Sequence, residues 1–325
     1  MKKQIALVTG GYSGESVISY KSARTIQSNI DSSKWNCYLI DINPEGWFYV
    51  DHEGKRSEVN KNDFSINDNG ARVSFDAVLI GMHGTPGEDG KLQGYFDCLG
   101  IPYTSCNAAT SALTFNKRYT VAVAAFAGIA VAKSLHLFKE KSLTSDQILS
   151  QLQLPVFVKP NNGGSSLGIS KVKQPDELLP ALEKAFHEDE QVLVEECIVG
   201  REFTIGVFQS KGKIIALPIT EIISANEFFD FQAKYEGASK EITPANVDED
   251  IAEKIRYQAK KAYSVFNCNG VIRIDFIYNQ ESGKPYLLEI NTVPGQSAAS
   301  IVPQQVKVMG WTLKDFYSAL LDECF

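Results

Sequence analysis

Short apolar runs alternate with amphipathic segments over the first third of the chain. Runs at 4–9 (QIALVT), 37–42 (CYLIDI) and 76–81 (DAVLIG) have the length of buried strands, and a helical pattern begins after Ser16. Because strands separated by helices form βαβ units, this alternation predicts a parallel sheet. Residues 105–116 are expected to form the exit from this first domain.

The middle of the chain has the pattern of a small α+β unit. A helix through KRYTVAVAAFA is expected to end at Gly128, because a residue without Cβ suits a helix C-terminus. Strands are expected near 156–159, 168–172 and 192–195. A helix is predicted to open at Pro175 and to continue with apolar residues three and four positions apart.

Strand patterns dominate from residue 203 onward, in the segments FTIGVF, KIIALPI, VIRIDFIY and PYLLEI. The final segment has Thr312 and Asp315 at capping-box spacing, and an apolar face that predicts a terminal helix. One helical segment interrupts the strands. Its apolar residues at helical spacing are Ile251, Ile255, Ala259, Ala262 and Phe266.

Composition and charge restrict the class of protein. The 325 residues are 44% hydrophobic and 22% charged, which suits roughly two to three domains with a sizeable core. The net charge of -7, without a long run of Lys or Arg, argues against a general binder of nucleic acid or membrane surfaces. Any polyanionic ligand must therefore be met by a local cluster of cations.

Cysteine usage and the start of the chain indicate a cytoplasmic protein. The six cysteines are scattered, with no CxxC pair, and are expected to be reduced thiols. The apolar run after Lys3 covers only Ile5 to Val8, which is too short for the core of a signal peptide or for a membrane span.

Two strand patterns near the end of the chain place polar side chains on one face. Arg273 and Asp275 share a face of VIRIDFIY, and Glu289 and Asn291 share a face of PYLLEIN. If NQESGK closes a hairpin centred near Ser282, Asp275 faces Glu289 and Arg273 faces Asn291. The residues expected on the opposite, buried face are Ile272, Ile274, Phe276, Leu288 and Ile290.

This polar face has two interpretations from the residues alone. Two carboxylates and an amide oxygen form an all-oxygen site that suits Mg²⁺ together with substrate phosphates. A solvated face with a cross-strand salt bridge is an equally common arrangement. The pattern does not separate these two.

Three glycine-containing loops are candidates for ligand contacts. VKPNNGGSSLG (158–168) is not a P-loop, because Lys159 precedes the glycines instead of following them. HGTPGEDG (83–90) follows a strand at the edge where open α/β sheets bind ligands, so His83 could contact substrate, although its glycines also suit ordinary turns. GGYSGES (10–16) lacks the dinucleotide fingerprint.

One residue of these loops, Glu15, and one separate aromatic-rich segment also have open interpretations. Glu15 lies where a helix N-terminus would otherwise attract an anion, and it suits a substrate ammonium or simply a favourable first-turn acid. The segment FDFQAKYEG (229–237) could be a lid that brings a cation to phosphates, or a loop anchored by its aromatic residues.

Taken together, these motifs resemble the ATP-grasp carboxylate–amine ligases, and specifically the D-alanine:D-alanine ligase family. The resemblance runs from Gly10 to about Pro303, with GGYSGE, HGTPGEDG, FNKRYT, VKPNNGGSSLG, LVEE, GREFT, FDFQAKY, RIDF and LLEINTVPG in the family's order. It implies an α/β protein (α+β overall) with a Rossmann-like substrate domain at 1–110. Two ATP-grasp subdomains would follow at 111–200 and 201–325, the second with the lid and the metal site.

The resemblance also implies a reaction and a set of roles. ATP would phosphorylate the carboxylate of one D-alanine, and the amine of a second would displace phosphate, giving D-alanyl-D-alanine for peptidoglycan synthesis. Two Mg²⁺ ions, with Mn²⁺ as an alternative, and a cytoplasmic homodimer without nucleic-acid or membrane partners are implied. The residues implied to contact the nucleotide are Lys117, Lys159, Glu195, Glu202 and Lys234, and those implied to hold the metals are Asp275, Glu289 and Asn291. The residues implied to act on the reacting groups are Glu15, Ser165, Tyr235, Arg273 and Gly295. Those implied to bind substrate are His83 and Ser300.

The chain also departs from the family pattern. GESVIS lacks the second acid that commonly follows Glu15, and Gln296, Ala298 and Ala299 replace larger or different residues near the second-substrate pocket.

Three alternatives remain: a D-alanine:D-lactate ligase, another ATP-grasp ligase with L substrates, and a nucleotide-binding module without chemistry. Tyr235 favours an amine over a hydroxy acid as nucleophile. The set of Glu15, Ser165 and Tyr235 argues against L substrates, and the intact metal face argues against loss of chemistry.

Overall fold

The computed structural model describes residues 2–163, 167–224 and 239–325. Its first sheet has the strand order β4-β3-β2-β1-β7, and β1 pairs in parallel with β2 and β7. The strands and helices of this region are β1 (Lys3–Gly10), α1 (Ser16–Asn29), β2 (Trp35–Asn43), β3 (Gly46–Val50), β4 (Arg56–Glu58), β5 (Ile66–Asp68), β6 (Ala71–Val73), β7 (Ala77–Ile80) and α2 (Lys91–Leu99). The predicted βαβ core is confirmed.

Two strands extend one side of the parallel core with antiparallel pairing. β3 pairs with β2 and β4 pairs with β3, both antiparallel, because connections as short as the one after Asn43 can only join antiparallel strands. Residues of β1 alternate between two cores. Ile5 and Leu7 pack in one cluster, and Ala6 and Val8 in another on the opposite face of the sheet.

The middle of the chain forms a four-stranded antiparallel sheet in the order β10-β9-β11-β8. The α6 helix packs on it through Leu178, Leu182 and Ala185, which are buried with Val156 and Val158. The elements are α3 (Ala108–Phe115), α4 (Lys117–Phe126), β8 (Ser134–Phe138), α5 (Ser145–Leu149), β9 (Val156–Pro160), β10 (Ser170–Val172), α6 (Leu178–Glu188) and β11 (Gln191–Glu196), with short 3-10 turns at Lys139–Lys141 and Pro175–Glu177.

The third sheet has the order β15-β14-β12-β16-β17, and β13 pairs with β12. Its buried face packs against α7, whose Ile255, Ala259 and Ala262 are fully buried as the helical spacing predicts. The elements are β12 (Arg201–Ser210), β13 (Lys213–Ala216), β14 (Thr220–Ser224), β15 (Ser239–Ile242), α7 (Glu249–Val265), β16 (Val271–Asn279) and β17 (Lys284–Asn291).

A β-bulge changes one part of the predicted hairpin. Arg273 pairs with Asn291 and Asp275 with Glu289, as expected, but Phe276 then pairs with Leu287. The register therefore shifts by one residue directly after the polar pair. The prediction that Leu288 is on the buried face is wrong: Leu287 is buried, and Leu288 is the extra, half-buried residue of the bulge.

Two C-terminal helices close the chain. They are α8 (Ile301–Val308) and α9 (Leu313–Asp322), and the Thr312 hydroxyl accepts the Asp315 amide at 3.1 Å as an N-cap. The α9 residues Phe316 and Leu320 pack in one core with Ile5 of β1. Within the described part of the chain, no helix combines the length and apolar character that crossing a bilayer requires.

Candidate active site

A cavity of about 340 Å³ opens where the first and third sheets meet. It is lined by the loops after β1, β7 and β17 and by the start of α8. The predicted residues that line it are Glu15, His83, Lys117, Arg273, Glu289, Asn291, Gly295 and Ser300; Lys21, Glu88 and Glu241, which the sequence did not single out, line it as well.

The predicted polar face is formed by three side chains that contact one another. The Asn291 amide nitrogen lies 3.5 Å from Asp275 Oδ2 and 3.4 Å from Glu289 Oε1. Asp275 is only 7% exposed and accepts a hydrogen bond from the Thr204 hydroxyl on β12. Two carboxylates and an amide oxygen on adjacent strands are a donor set that suits Mg²⁺, so these residues fit the predicted metal site.

Arg273 lies beside this face and holds it together. Its guanidinium donates from Nε to Asp275 Oδ1 and from Nη2 to Oδ2, both at 2.9 Å. Nη2 is also 3.7 Å from Glu289 Oε1. Because the guanidinium is planar and donates two parallel hydrogen bonds, it holds the Arg273 and Asp275 charges in one relative orientation. Arg273 also lies at the wall of the cavity.

A buried ring of hydrogen bonds holds the loop after β17. The Gln296 amide donates to Ser22 Oγ at 3.0 Å, Ser22 Oγ lies 2.9 Å from His83 Nε2, and His83 Nδ1 lies 2.7 Å from the Val293 carbonyl. A carbonyl only accepts, so Nδ1 carries the proton and the Ser22 hydroxyl donates to Nε2. Burial lowers the pKa of His83 to about 4, in keeping with this neutral tautomer.

His83 was expected to contact substrate. It lines the cavity, but both of its ring nitrogens are engaged by the protein, and its side chain is almost completely buried. The geometry fits a residue that positions the Val293 backbone. The neighbouring Gly295 is within contact of Ser300, because a Cβ at residue 295 would lie 2.7 Å from Ser300 Oγ.

Glu88 is a partly buried carboxyl that the sequence did not identify. It accepts hydrogen bonds from the Gly84 amide at 2.6 Å and from the Val293 amide at 3.3 Å. Burial, and then the negative charge of Glu15, raise the pKa of Glu88. Both backbone groups of Val293 are thus held by side chains of the HGTPGEDG segment, Glu88 at the amide and His83 at the carbonyl.

Glu15 lies at the N-cap position of α1, close to Gly84. A Cβ on residue 84 would lie 2.7 Å from Glu15 Oε2, and the backbone there has φ +68°, so this position suits glycine in both space and conformation. The first loop therefore presents a carboxylate to the cavity.

The predicted nucleotide residues that the structure describes lie on α4 and on strands of the second and third sheets. Lys159 of β9 and Glu195 of β11 form a buried ion pair on neighbouring strands. The Lys117 ammonium donates to the Gly163 carbonyl at 2.8 Å, next to the glycine-rich loop. Glu202 is on β12, opposite Ile277 of β16. The predicted Ser165, Lys234 and Tyr235 lie outside the described residues.

Two family models match almost the whole chain. The model described as D-ala D-ala ligase N-terminus matches residues 4–106, and D-ala D-ala ligase C-terminus matches 117–322. The chain belongs to the D-alanine–D-alanine ligase family. A D-alanine–D-alanine ligase of Phocaeicola vulgatus is 46% identical over 100% of both chains, and one of Parabacteroides distasonis is 45% identical over 99% of this chain and 98% of that one.

Solved structures of D-alanine ligases share this fold. The VanG D-Ala:D-Ser ligase of Enterococcus faecalis superposes with a TM-score of 0.88 at 30% identity, covering 99% of each chain. The D-alanine–D-alanine ligase of Bacillus anthracis complexed with ATP has a TM-score of 0.79 at 28% identity, covering 98% of this chain and 96% of that one. The expected fold, a Rossmann-like sheet followed by an ATP-grasp fold, is confirmed.

Proposed function

We propose that this chain is an ATP-dependent ligase that joins two D-alanines to D-alanyl-D-alanine for peptidoglycan synthesis. The observation that carries the proposal is one cavity in which Glu15, Arg273, Glu289, Asn291 and Ser300 meet, in a chain that matches D-alanine–D-alanine ligases over its full length. These side chains supply the charges that two amino acids and a transferring phosphoryl group require.

The first step is phosphoryl transfer from ATP to the carboxylate of the first D-alanine. Its ammonium would pair with Glu15 on the first loop. Lys117, Lys159 and Lys234 would neutralise the phosphates, and Glu195 and Glu202 would contact the adenine and the ribose. Such a reaction asks a protein mainly to position its reactants and to neutralise charge, which these residues can do.

The metal face has a supporting role in this step. Asp275, Glu289 and Asn291 would hold two Mg²⁺ ions, with Mn²⁺ as an alternative, and the ions when bound would neutralise charge on the phosphate oxygens. Arg273 orients Asp275 through its fork, and Thr204 orients it from β12, so the face is held in place before ligands arrive.

The second step is attack of the second D-alanine's amine on the acyl phosphate, after which phosphate leaves. Negative charge then develops on the former carbonyl oxygen. Arg273 and the Gly295 amide would stabilise this oxyanion, and one preorganised donor of this kind typically contributes about 3 kcal/mol. Ser300, at the start of α8, would receive the carboxylate of the second D-alanine, while Ser165 and Tyr235 would link Glu15 to the covering loops.

We further propose that the three parts 1–110, 111–200 and 201–325 act as substrate domain, central subdomain and C-terminal subdomain. The enzyme would work as a cytoplasmic homodimer on small molecules, with no nucleic-acid or membrane partner. Six free thiols and a net charge of -7 support this placement. Sedimentation of the purified protein tests the dimer: a single species at the monomer mass would remove it.

A coupled assay tests the function. ADP release and product formation are followed with D-alanine alone, with L-alanine alone, and with D-alanine supplemented by D-serine or D-lactate, with Mg²⁺ present. We expect ADP release with D-alanine alone, accompanied by one D-alanyl-D-alanine per ADP. Dependence on D-lactate, or equal use of L-alanine, would contradict the proposal. D-Serine is included because VanG, a neighbour in structure, is a D-Ala:D-Ser ligase.

A further inference from the structure

Glu241 is an acidic residue at the cavity to which the predicted roles assign nothing. It lies on β15 and lines the same cavity as Arg273 and Ser300. Its neighbour Lys240 is exposed, whereas Glu241 is half-buried, in keeping with the alternation of faces along a strand. The carboxylate therefore faces the cavity and not the solvent.

Gln304 fixes the carboxylate beside the start of α8. The Gln304 side-chain nitrogen lies 2.9 Å from the Ala299 carbonyl and 3.4 Å from Glu241 Oε2. A single amide group thus bridges Glu241 to the residue directly before Ser300. The Glu241 carboxylate and the Ser300 hydroxyl at the start of α8, which together form the Ser300 corner of the cavity, are therefore held at a fixed separation.

The start of α8 is the part of this corner that suits an anion. The Ser300 side chain makes no capping hydrogen bond to the first turn and lies instead 2.8 Å from Ser297 Oγ. The partial positive charge of the first-turn amides favours a carboxylate there. An amino acid whose carboxylate lies at this point carries its ammonium on the next carbon, where a nearby carboxylate would stabilise it.

The acidic residues of the cavity differ in what surrounds them. Glu88 accepts two backbone amides, and its pKa is raised. Glu289 lies against Asn291 and Arg273 in the metal face. Glu15 is on the first loop, at the start of α1. Glu241 is the acidic lining residue that is tied to the Ser300 corner.

We propose that Glu241 binds the ammonium group of the second D-alanine and so selects an amino acid as nucleophile. This inference rests on the proposed function. The second substrate would be held as a zwitterion, its carboxylate at Ser300 and the α8 N-terminus and its ammonium at Glu241, and the ammonium would lose one proton to solvent before its amine attacks the acyl phosphate. Arg273 lines the same cavity, so the amine would be bound on the side where the acyl phosphate forms.

Steady-state kinetics of Glu241→Gln test this assignment. The glutamine keeps the size of the side chain but removes the charge. ADP release is measured against D-alanine concentration at saturating ATP, and the Michaelis constants for the first and second D-alanine are separated from the two-site dependence. We expect the second constant to rise at least about tenfold, as befits loss of a charged hydrogen bond, with the first constant and the KM for ATP unchanged.

Two further variants complete the experiment. Lys240→Gln, which changes the exposed neighbour on the same strand, should leave all three constants at their wild-type values. Glu241→Asp, which keeps the charge, should raise the second constant less than Glu241→Gln does. A second constant within twofold of wild type in Glu241→Gln, or an equal rise in the Asp and Gln variants, would overturn the assignment.

The same data separate this inference from the proposed function. If the wild-type enzyme makes D-alanyl-D-alanine but Glu241→Gln behaves like Lys240→Gln, only the role of Glu241 is wrong. If the wild-type enzyme releases no ADP with D-alanine, the proposed function fails, and the ammonium site fails with it.

Discussion

Removing the Ser22 hydroxyl should loosen the loop that carries Gly295. This hydroxyl accepts the buried Gln296 amide and donates to His83 Nε2, at 3.0 and 2.9 Å. Ser22→Ala leaves a backbone N–H and a ring nitrogen without their partner in a region where Ser22 is completely buried. Each unsatisfied buried group costs about 1 to 3 kcal/mol, so for the two groups we expect a loss of about 2 to 6 kcal/mol in unfolding free energy.

The same change should lower turnover. The loop after β17 carries the Gly295 amide proposed to stabilise the oxyanion, and a shift of about 1 Å in such a group can cost roughly a hundredfold in rate. We expect kcat to fall by about tenfold to a hundredfold while the KM for ATP is unchanged, because the residues proposed to contact the nucleotide, Lys117, Lys159, Glu195 and Glu202, lie on other elements of the structure. Urea unfolding followed by circular dichroism, and ADP release at saturating substrates, measure the two effects.

Ser28→Ala is the matched control on the same helix. Ser28 is exposed, and its hydroxyl donates only to helix carbonyls three and four residues before it, so its removal should leave both quantities near wild type. If Ser22→Ala and Ser28→Ala have the same urea midpoint and the same kcat, the buried ring does not hold the loop and the reasoning is refuted.

Three further changes test other parts of the site. Burial lowers the pKa of His83 from 6.5 to about 4. Between pH 6.5 and pH 4 the unfolded chain therefore takes up a proton on His83 that the folded chain does not. Stability should therefore fall by roughly 3 kcal/mol as the pH drops from 6.5 to 4, and an unfolding series in His83→Gln should lack that part of the slope. Gln305→Leu should lower the unfolding free energy by about 2 to 4 kcal/mol, because Gln305 is completely buried and hydrogen-bonded to three groups on β12 and β14. Lys307→Ala is the exposed control on the same helix. Equal urea midpoints for the two variants would contradict the predicted role of Gln305. Glu289→Gln should keep the circular dichroism spectrum but lose Mg²⁺-dependent turnover, and unchanged turnover would remove the metal assignment.

The sequence predicts the polar face of β16 and β17 well because period-two alternation fixes it locally. Arg273, Asp275, Glu289 and Asn291 face one another as the hairpin pattern required. The bulge after Asp275 was not predictable in this way. It adds one residue on β17, so the turn end of the hairpin has a different register from the functional end, and Leu288 leaves the buried face.

The supporting residues were missed because their partners are distant in the chain. Glu88 bonds the Val293 amide across 205 positions, and Gln305 bonds the Gly206 amide across 99 positions. An isolated Glu in a glycine-rich loop, or a Gln within an apolar helix, carries no periodic signal of such a contact. The one available signal is a polar residue at a position where the helical spacing predicts burial, as for Gln305 between Val302 and Val306.

The fate of a carboxylate oxygen tests the central claim most directly. D-Alanine labelled with ¹⁸O in its carboxylate is turned over with ATP and Mg²⁺, and the phosphate released is analysed by mass spectrometry. An acyl phosphate predicts one ¹⁸O in the phosphate for each D-alanyl-D-alanine formed, because the carboxylate oxygen that attacks ATP leaves with the phosphoryl group. Dipeptide accompanied by unlabelled phosphate would contradict the account.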